Sequence, residues 1–167
     1  SWDPGTCGIH VHISRAAFDG MSHLWLFAHL IHDNQDFVTR VAGRYSDRWA
    51  AFSPEHRRNI KEYVKPHGNA SRYADRYNAV NFCNRDTLEV RVFRGSLRPE
   101  RIMSAVDFVD AAFWYTKGLK SRDVIHNKGL NPSRFIEWVH DKGPKYAGLN
   151  VILDEISARR LNDTNNE

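Results

Sequence analysis

The 167 residues suit one domain, and a composition that is 41% hydrophobic and 12% aromatic predicts a buried core rather than a disordered chain. No apolar run approaches the roughly 20 residues that span a bilayer, and the first residues lack the basic and apolar regions of a secretory signal. We therefore expect no membrane partner. Two cysteines are too few for a disulfide framework, which favours a cytoplasmic location. The net charge of +4 is too small to select a class of partner.

The stretch CGIHVHIS predicts the first β-strand. Because side chains alternate between the two faces of a strand, Ile9, Val11 and Ile13 form an apolar face. His10 and His12 lie together on the opposite face. That face therefore either meets solvent or lines a site.

Three helices are predicted next in the chain. The stretch FDGMSHLWLFAHLIHDN has helical spacing of its apolar residues, with Asp19 or Ser22 as the N-cap. QDFVTRVAGRY predicts a second, short helix that ends at Gly43. SPEHRRNIKEYV begins with Ser53 as the N-cap and Pro54 at the first helical position, the usual start of a helix.

The first of these helices carries the histidines His23, His29 and His32. His29 and His32 lie three residues apart, a spacing that also occurs in metal sites. Both lie among apolar residues, so we expect packing or helix-end roles rather than ligand roles.

A hairpin follows, in which the strands YNAVNFC and TLEVRVF are joined by NRD. Alternation along the second strand predicts two faces, Leu88, Val90 and Val92 against Glu89, Arg91 and Phe93. A carboxylate and a guanidinium group therefore project side by side from one face.

The longest helix is predicted to start near Pro99, with apolar positions at Ile102, Val106, Val109 and Phe113. Two shorter helices are expected at about 132–140 and 149–161. This order of elements predicts an α+β fold, an antiparallel sheet with helices on one side. We expect a single domain over 1–161 and a polar tail over 162–167.

If the two strands share a sheet, His10, His12, Glu89 and Arg91 converge on its polar face. Imidazole nitrogens and a carboxylate can bind a divalent cation, and an arginine can hold a phosphate or carboxylate beside it. For each residue taken singly, a solvated strand face explains the pattern equally well.

Further arginines surround these strands. Arg72 and Arg76 could share a helical face, grip an anion from a loop, or belong to an ordinary basic surface, and Arg40 and Arg44 have the same status. A nucleic-acid surface is a rival hypothesis built from Arg72, Arg76, Arg85, Arg94 and Arg98. It is not favoured, because nucleic-acid patches usually show runs rich in both lysine and arginine.

Together these segments resemble a known family pattern. GTCGIHVHIS resembles the H-x-H strand of the glutamine synthetase superfamily, and SRYADRYNAVNF followed by DTLEVRVFRGSL resembles its arginine-rich segment and its [IL]-E-x-R strand. The spacing is most similar to the amidoligase branch, which occurs in bacteria, phages and some fungi. The resemblance covers residues 5–118 and implies a curved, glutamine-synthetase-like sheet. It also implies that the protein acts in the cytoplasm of a bacterial or phage-infected cell.

The resemblance also implies residue roles. His10 and Glu89 would bind a catalytic Mg²⁺ or Mn²⁺, and His12 would contact the phosphates of ATP. Arg91 would hold the phosphoryl group transferred from the nucleotide, or the acyl phosphate. The implied protein is an ATP-dependent carboxylate–amine ligase that works through an acyl phosphate.

Other arginines would assist this chemistry. Arg72 and Arg76 match the family arginines that neutralise phosphate and substrate charge, and Arg44 matches one that binds the substrate carboxylate. The partners implied are ATP and a carboxylate and amine substrate pair.

The sequence departs from the family in two ways. The superfamily's E-x-E strands are absent, since only nine residues precede His10. We therefore expect the C-terminal part of a larger catalytic domain, completed by a missing N-terminal part or by a homo-oligomer. Gly5 stands where glutamine synthetases have a substrate-binding asparagine, so glutamate is not the expected substrate.

Two alternatives remain. A non-catalytic structural or interaction protein of phage origin could retain the fold after losing a metal site. A metallohydrolase would need further histidines and an aspartate on later strands, and TLEVRVF supplies neither.

Overall fold

A computed structural model describes residues 7–65, 76–126 and 128–164, with side chains up to residue 158. Its sheet has three strands: β1 (Gly8–Ser14), β2 (Val80–Asn81) and β3 (Thr87–Arg94). β3 lies in the centre and pairs antiparallel with both neighbours. The predicted α+β class and the antiparallel pairing of the hairpin are confirmed.

Seven helices surround this sheet within the described ranges: α1 (Met21–His32), α2 (Gln35–Ala42), α3 (Pro54–Tyr63), α4 (Pro99–Gly118), α5 (Ser121–His126), α6 (Pro132–Asp141) and α7 (Ala147–Thr164). Six of them lie close to the predicted positions, and α5 is additional. None of the helices in these ranges has the length and apolar character needed to cross a membrane.

The predicted end of α2 and the predicted start of α3 follow the local sequence. The Ser53 side chain accepts a hydrogen bond from the backbone of His56 (3.2 Å), and Gly43 ends α2 in the left-handed region with φ of 65°. The predicted caps Asp19 and Ser22 are wrong, since α1 begins after Gly20 with no side-chain cap.

The apolar face of the sheet packs against the helices. Ile9, Val11 and Ile13 of β1 contact the core, and Leu88 and Val90 of β3 are fully buried. α4 contacts β1 and α2 contacts β3. The opposite face carries the exposed side chains of β1, so the sheet has one buried and one polar side as predicted.

A β-bulge changes the alternation of β3. Ile9 pairs with Phe93 and Val11 with Val90, so that two residues of β3, Arg91 and Val92, lie opposite one residue of β1. Regular alternation predicted that Phe93 shares the polar face with Glu89. Because of the bulge it does not. It is buried, and its ring lies 5.8 Å from that of Phe108.

The buried stripe of α4 also differs from the predicted one. Ile102 and Val106 are exposed, whereas Val109 is buried as expected. The rest of the buried surface comes from small or aromatic residues, including Ala105, Phe108, Ala112 and Tyr115. Small residues here allow the helix to lie close to its neighbours.

Two histidines lie deep in the helical layer. His32 of α1 and His56 of α3 are 4% and 2% exposed, and their ring centroids are 5.0 Å apart. Among the described residues neither imidazole has a hydrogen-bond partner. Burial lowers the pKa of His32 to about 3, with a further contribution from His56, and burial lowers the pKa of His56 to about 4. The expected packing role of His32 is therefore confirmed.

Acidification from pH 7 to pH 5 is expected to destabilise the fold through these two residues. Below about pH 6.5 the unfolded chain binds protons at both histidines, whereas the folded chain does not. The free energy of unfolding therefore decreases as the pH is lowered. The loss is about 2 kcal/mol per histidine at pH 5. Urea unfolding at several pH values would measure it.

His56→Leu is expected to remove about half of this pH dependence, because it removes one of the two groups. His126→Leu changes an exposed histidine and serves as the matched control. An unchanged slope in His56→Leu would contradict the assignment.

Candidate functional site

The polar face of the sheet brings together residues from all three strands. In the register of β1 and β3, His12 lies opposite Glu89, and β2 places Asn81 opposite the same glutamate. His10 Nδ1 lies 2.6 Å from Glu89 Oε1. Arg91 follows on the same strand, so the predicted convergence of His10, His12, Glu89 and Arg91 is confirmed.

Glu89 is the buried centre of this arrangement. Its Oε1 accepts hydrogen bonds from His10 Nδ1 and from Arg91 Nη1, the latter at 3.0 Å. Its Oε2 accepts bonds from Asn81 Nδ2 at 2.8 Å and from Arg91 Nη1 at 3.1 Å. Both oxygens are therefore fully engaged by neighbouring side chains.

These contacts keep Glu89 ionised. Burial by itself raises the pKa of Glu89, but hydrogen bonds from His10 and Asn81 and the positive charge of Arg91 outweigh it and lower the pKa to about 2. An ionised carboxylate can only accept, so the short contact requires the proton of His10 on Nδ1. In the neutral imidazole, Nε2 then keeps its lone pair.

Arg91 is held from several directions. Its Nη1 bonds to Glu89, and its Nε donates to the backbone carbonyl of Trp49 at 3.3 Å. Its guanidinium carbon lies 5.7 Å from the centre of the Tyr77 ring, and that of Arg76 lies 5.9 Å from the same centre. Tyr77 therefore links the predicted catalytic arginine Arg76 to Arg91.

Arg44 lies at the end of β1. Its Nη1 donates to the carbonyl of Cys7 at 2.7 Å. Gly8 permits this approach, because a Cβ there would lie 2.5 Å from Arg44 Nη1. Burial lowers the pKa of Arg44, and the charge of Arg91 lowers it further, so two positive groups adjoin on this face.

The other predicted site residues are placed less tightly. His12 Nε2 is 3.8 Å from Glu89 Oε1, beyond hydrogen-bond range, and its Nδ1 lies 3.4 Å from Thr87 Oγ1. Arg72 lies outside the described residues. Among the described residues no group of three or more His, Cys, Asp or Glu side chains is arranged to hold a metal ion. The metal roles of His10 and Glu89 stay predictions.

Sequence reasoning missed Asn81, Tyr77 and Trp49. Asn81 had a signal: it lies eight residues before Glu89 in a hairpin, which places the two opposite each other. Its Oδ1 also accepts the backbone N–H of Cys83 at 2.8 Å, so its amide is oriented towards the carboxylate. Trp49 acts through its backbone and had no signal.

Comparisons with family models, curated proteins and solved structures give no match for this chain. The resemblance to the glutamine synthetase superfamily therefore rests on the sequence motifs alone.

Glu89→Gln is expected to destabilise the chain at pH 7 by about 3 kcal/mol, since it removes a buried charge from its partners. The Glu89 pKa is lowered on folding, so its contribution is complete above about pH 4.5 and declines as the pH falls towards 2. Urea unfolding of the wild type and the variant between pH 7 and pH 3 would measure the difference.

The difference in the free energy of unfolding between the wild type and Glu89→Gln should be constant from pH 7 to pH 5, because the buried histidines contribute equally to both proteins. Below pH 5 the difference should shrink as Glu89 is protonated. Glu62→Gln changes an exposed carboxylate that pairs with Lys65 and is the matched control. An equal loss in the free energy of unfolding in Glu89→Gln and Glu62→Gln would contradict the role of Glu89 in stabilising the sheet.

Proposed function

We propose that this chain forms one wall of the active site of an ATP-dependent carboxylate–amine ligase with a glutamine-synthetase-like fold. The observation that carries the proposal is the contact set of His10 on β1 with Glu89 and Arg91 on the adjacent strand β3. It has the residue types and strand positions of the family motifs. In the proposed reaction a carboxylate oxygen attacks the γ-phosphorus of ATP and ADP leaves. An amine nitrogen then attacks the acyl carbon, and inorganic phosphate leaves.

The charges of the polar face suit anionic reactants. Glu89 balances one guanidinium group, whereas Arg91 and Arg44 supply two. Among the described residues Arg91 makes hydrogen bonds through Nη1 and Nε, which leaves Nη2 to bind a phosphate or carboxylate oxygen. Because its other nitrogens are fixed, Arg91 can orient an anion without first being ordered. Arg44 would act as the second positive group at the β1 end.

The fit to Mg²⁺ is incomplete. Mg²⁺ prefers oxygen ligands, and the described face offers two imidazoles and one carboxylate whose oxygens already accept hydrogen bonds. A Mg²⁺ ion would polarise the phosphates of the nucleotide. Its oxygen ligands would have to come from the nucleotide, water or another part of the protein. His10 and Glu89 would supply only part of the ligands of such an ion, and the arginines of this face would bind the anions.

A non-catalytic interaction protein is the second candidate. The observation that favours it is the same engagement of both Glu89 oxygens, since a fully satisfied buried network also serves to fix strand register. The two candidates differ in whether the face binds a nucleotide.

Calorimetric titration with a non-hydrolysable ATP analogue, with and without Mg²⁺, would separate them. We expect saturable binding that falls about tenfold or more in Arg91→Gln and Arg44→Gln, because each removes a charge-assisted contact to phosphate. His10→Ala should reduce the increase in nucleotide affinity that Mg²⁺ produces. Arg122→Gln and His126→Ala change exposed residues and are the matched controls.

The titration should be run on this chain and on the longest natural protein that contains it, with circular dichroism to establish folding. Absence of saturable binding in both folded proteins would contradict the ligase proposal and favour the non-catalytic candidate.

A further inference from the structure

A groove between α1 and α3 lies outside the polar face of the sheet. It consists of two adjoining cavities of about 850 and 570 Å³. Trp25 and Lys61 line both cavities and mark the point where they meet. Both volumes fall in the range of small-molecule sites. We call this surface the α1/α3 groove.

The larger cavity has apolar walls. Its lining includes Met21, Leu26, Val64, Leu119, Val124 and Ile125. Met21 is 53% exposed and Ile125 is 72% exposed. Single exposed apolar residues are ordinary, but their concentration around one concavity is typical of a binding surface.

Positive charge surrounds this apolar cavity. Lys61, Lys65 and Lys120 contribute to its lining. Lys65 pairs with Glu62 at 2.6 Å, whereas the ammonium groups of Lys61 and Lys120 have no ion pair within the described residues. The rim of an apolar cavity therefore carries uncompensated positive charge.

Positively charged side chains also line the smaller cavity. Arg57 and Arg58 line it, and Asp33 is engaged by Arg57 at 2.6 Å and by His29 at 3.1 Å. Arg58 has no ion pair in the described part of the chain. The cations at this end therefore exceed the available carboxylates.

His32 also lines the smaller cavity, although its side chain is almost wholly buried. Both of its ring nitrogens are without a hydrogen-bond partner among the described residues. Both nitrogens are also closed to solvent, so His32 forms part of the wall of this cavity and does not donate to a molecule inside it.

We propose that the α1/α3 groove binds an amphipathic organic anion of the fatty-acid class. Its hydrocarbon chain lies in the apolar cavity between Met21 and Ile125. Its carboxylate lies in the smaller cavity, where Lys61 and Arg58 provide positive charge. This site is independent of the proposed ligase function, because it shares no residue with the polar face.

Calorimetric titration with decanoate below its micelle concentration tests the proposal. We expect saturable binding at one site, with decan-1-ol and decyltrimethylammonium binding more weakly because they lack the negative charge. Octanoate should bind about fifteenfold more weakly than decanoate, since it lacks two methylenes and each buried methylene contributes about 0.8 kcal/mol, or about fourfold in affinity.

Lys61→Glu and Arg58→Glu should each weaken decanoate binding about tenfold. Arg40→Glu is the matched control for Lys61→Glu, because both residues lie in the last turn of a helix. Ile125→Asp should also weaken binding, whereas Val151→Asp, at a residue that is 60% exposed on α7, should not.

The proposal is overturned if decanoate does not saturate, if decan-1-ol binds as tightly, or if the control variants lose as much affinity as the groove variants. Loss of nucleotide binding in the polar-face variants, with decanoate binding retained, would leave the groove assignment standing. Circular dichroism of each variant establishes that it is folded.

Discussion

The buried carboxylate of Glu89 is the constraint on which the polar face depends. A charge removed from water costs several kcal/mol unless partners surround it. Here the partners are His10 on β1, Asn81 on β2 and Arg91 on β3 itself. Since they come from three strands, the carboxylate is satisfied only when all three are in register. The same network that stabilises the sheet therefore also fixes the geometry of the candidate site.

The bulge in β3 reconciles two demands on one short strand. Glu89 and Arg91 must face the polar side, and the end of the strand must still contribute an aromatic ring to the core. An extra residue opposite His10 resets the alternation, so Phe93 turns inward. Gly8 then leaves room beside the strand for Arg44. The two guanidinium groups reach the same face through these two backbone features.

Local patterns predicted the parts of this structure that depend on local physics. The period of two separated the faces of β1, and Ser53 and Gly43 marked helix ends because their capping chemistry is local. The bulge could not be predicted, because it arises from pairing between distant segments. Asn81 was missed although the local hairpin carried a signal for it, since eight residues separate it from Glu89 and the hairpin places the two opposite each other. α5 was not predicted, because a helix of six residues is too short to show the helical spacing of apolar residues.

The chain treats its buried ionisable groups in two opposite ways. On the polar face Glu89 is kept charged by donors, whereas in the helical layer His32 and His56 are kept neutral by burial. The neutral pair stacks into an aromatic cluster, in which His56 lies 4.6 Å from the ring of Tyr63. Burial thus suppresses charge inside the helical layer. On the polar face, by contrast, the guanidinium groups of Arg91 and Arg44 adjoin the single carboxylate of Glu89.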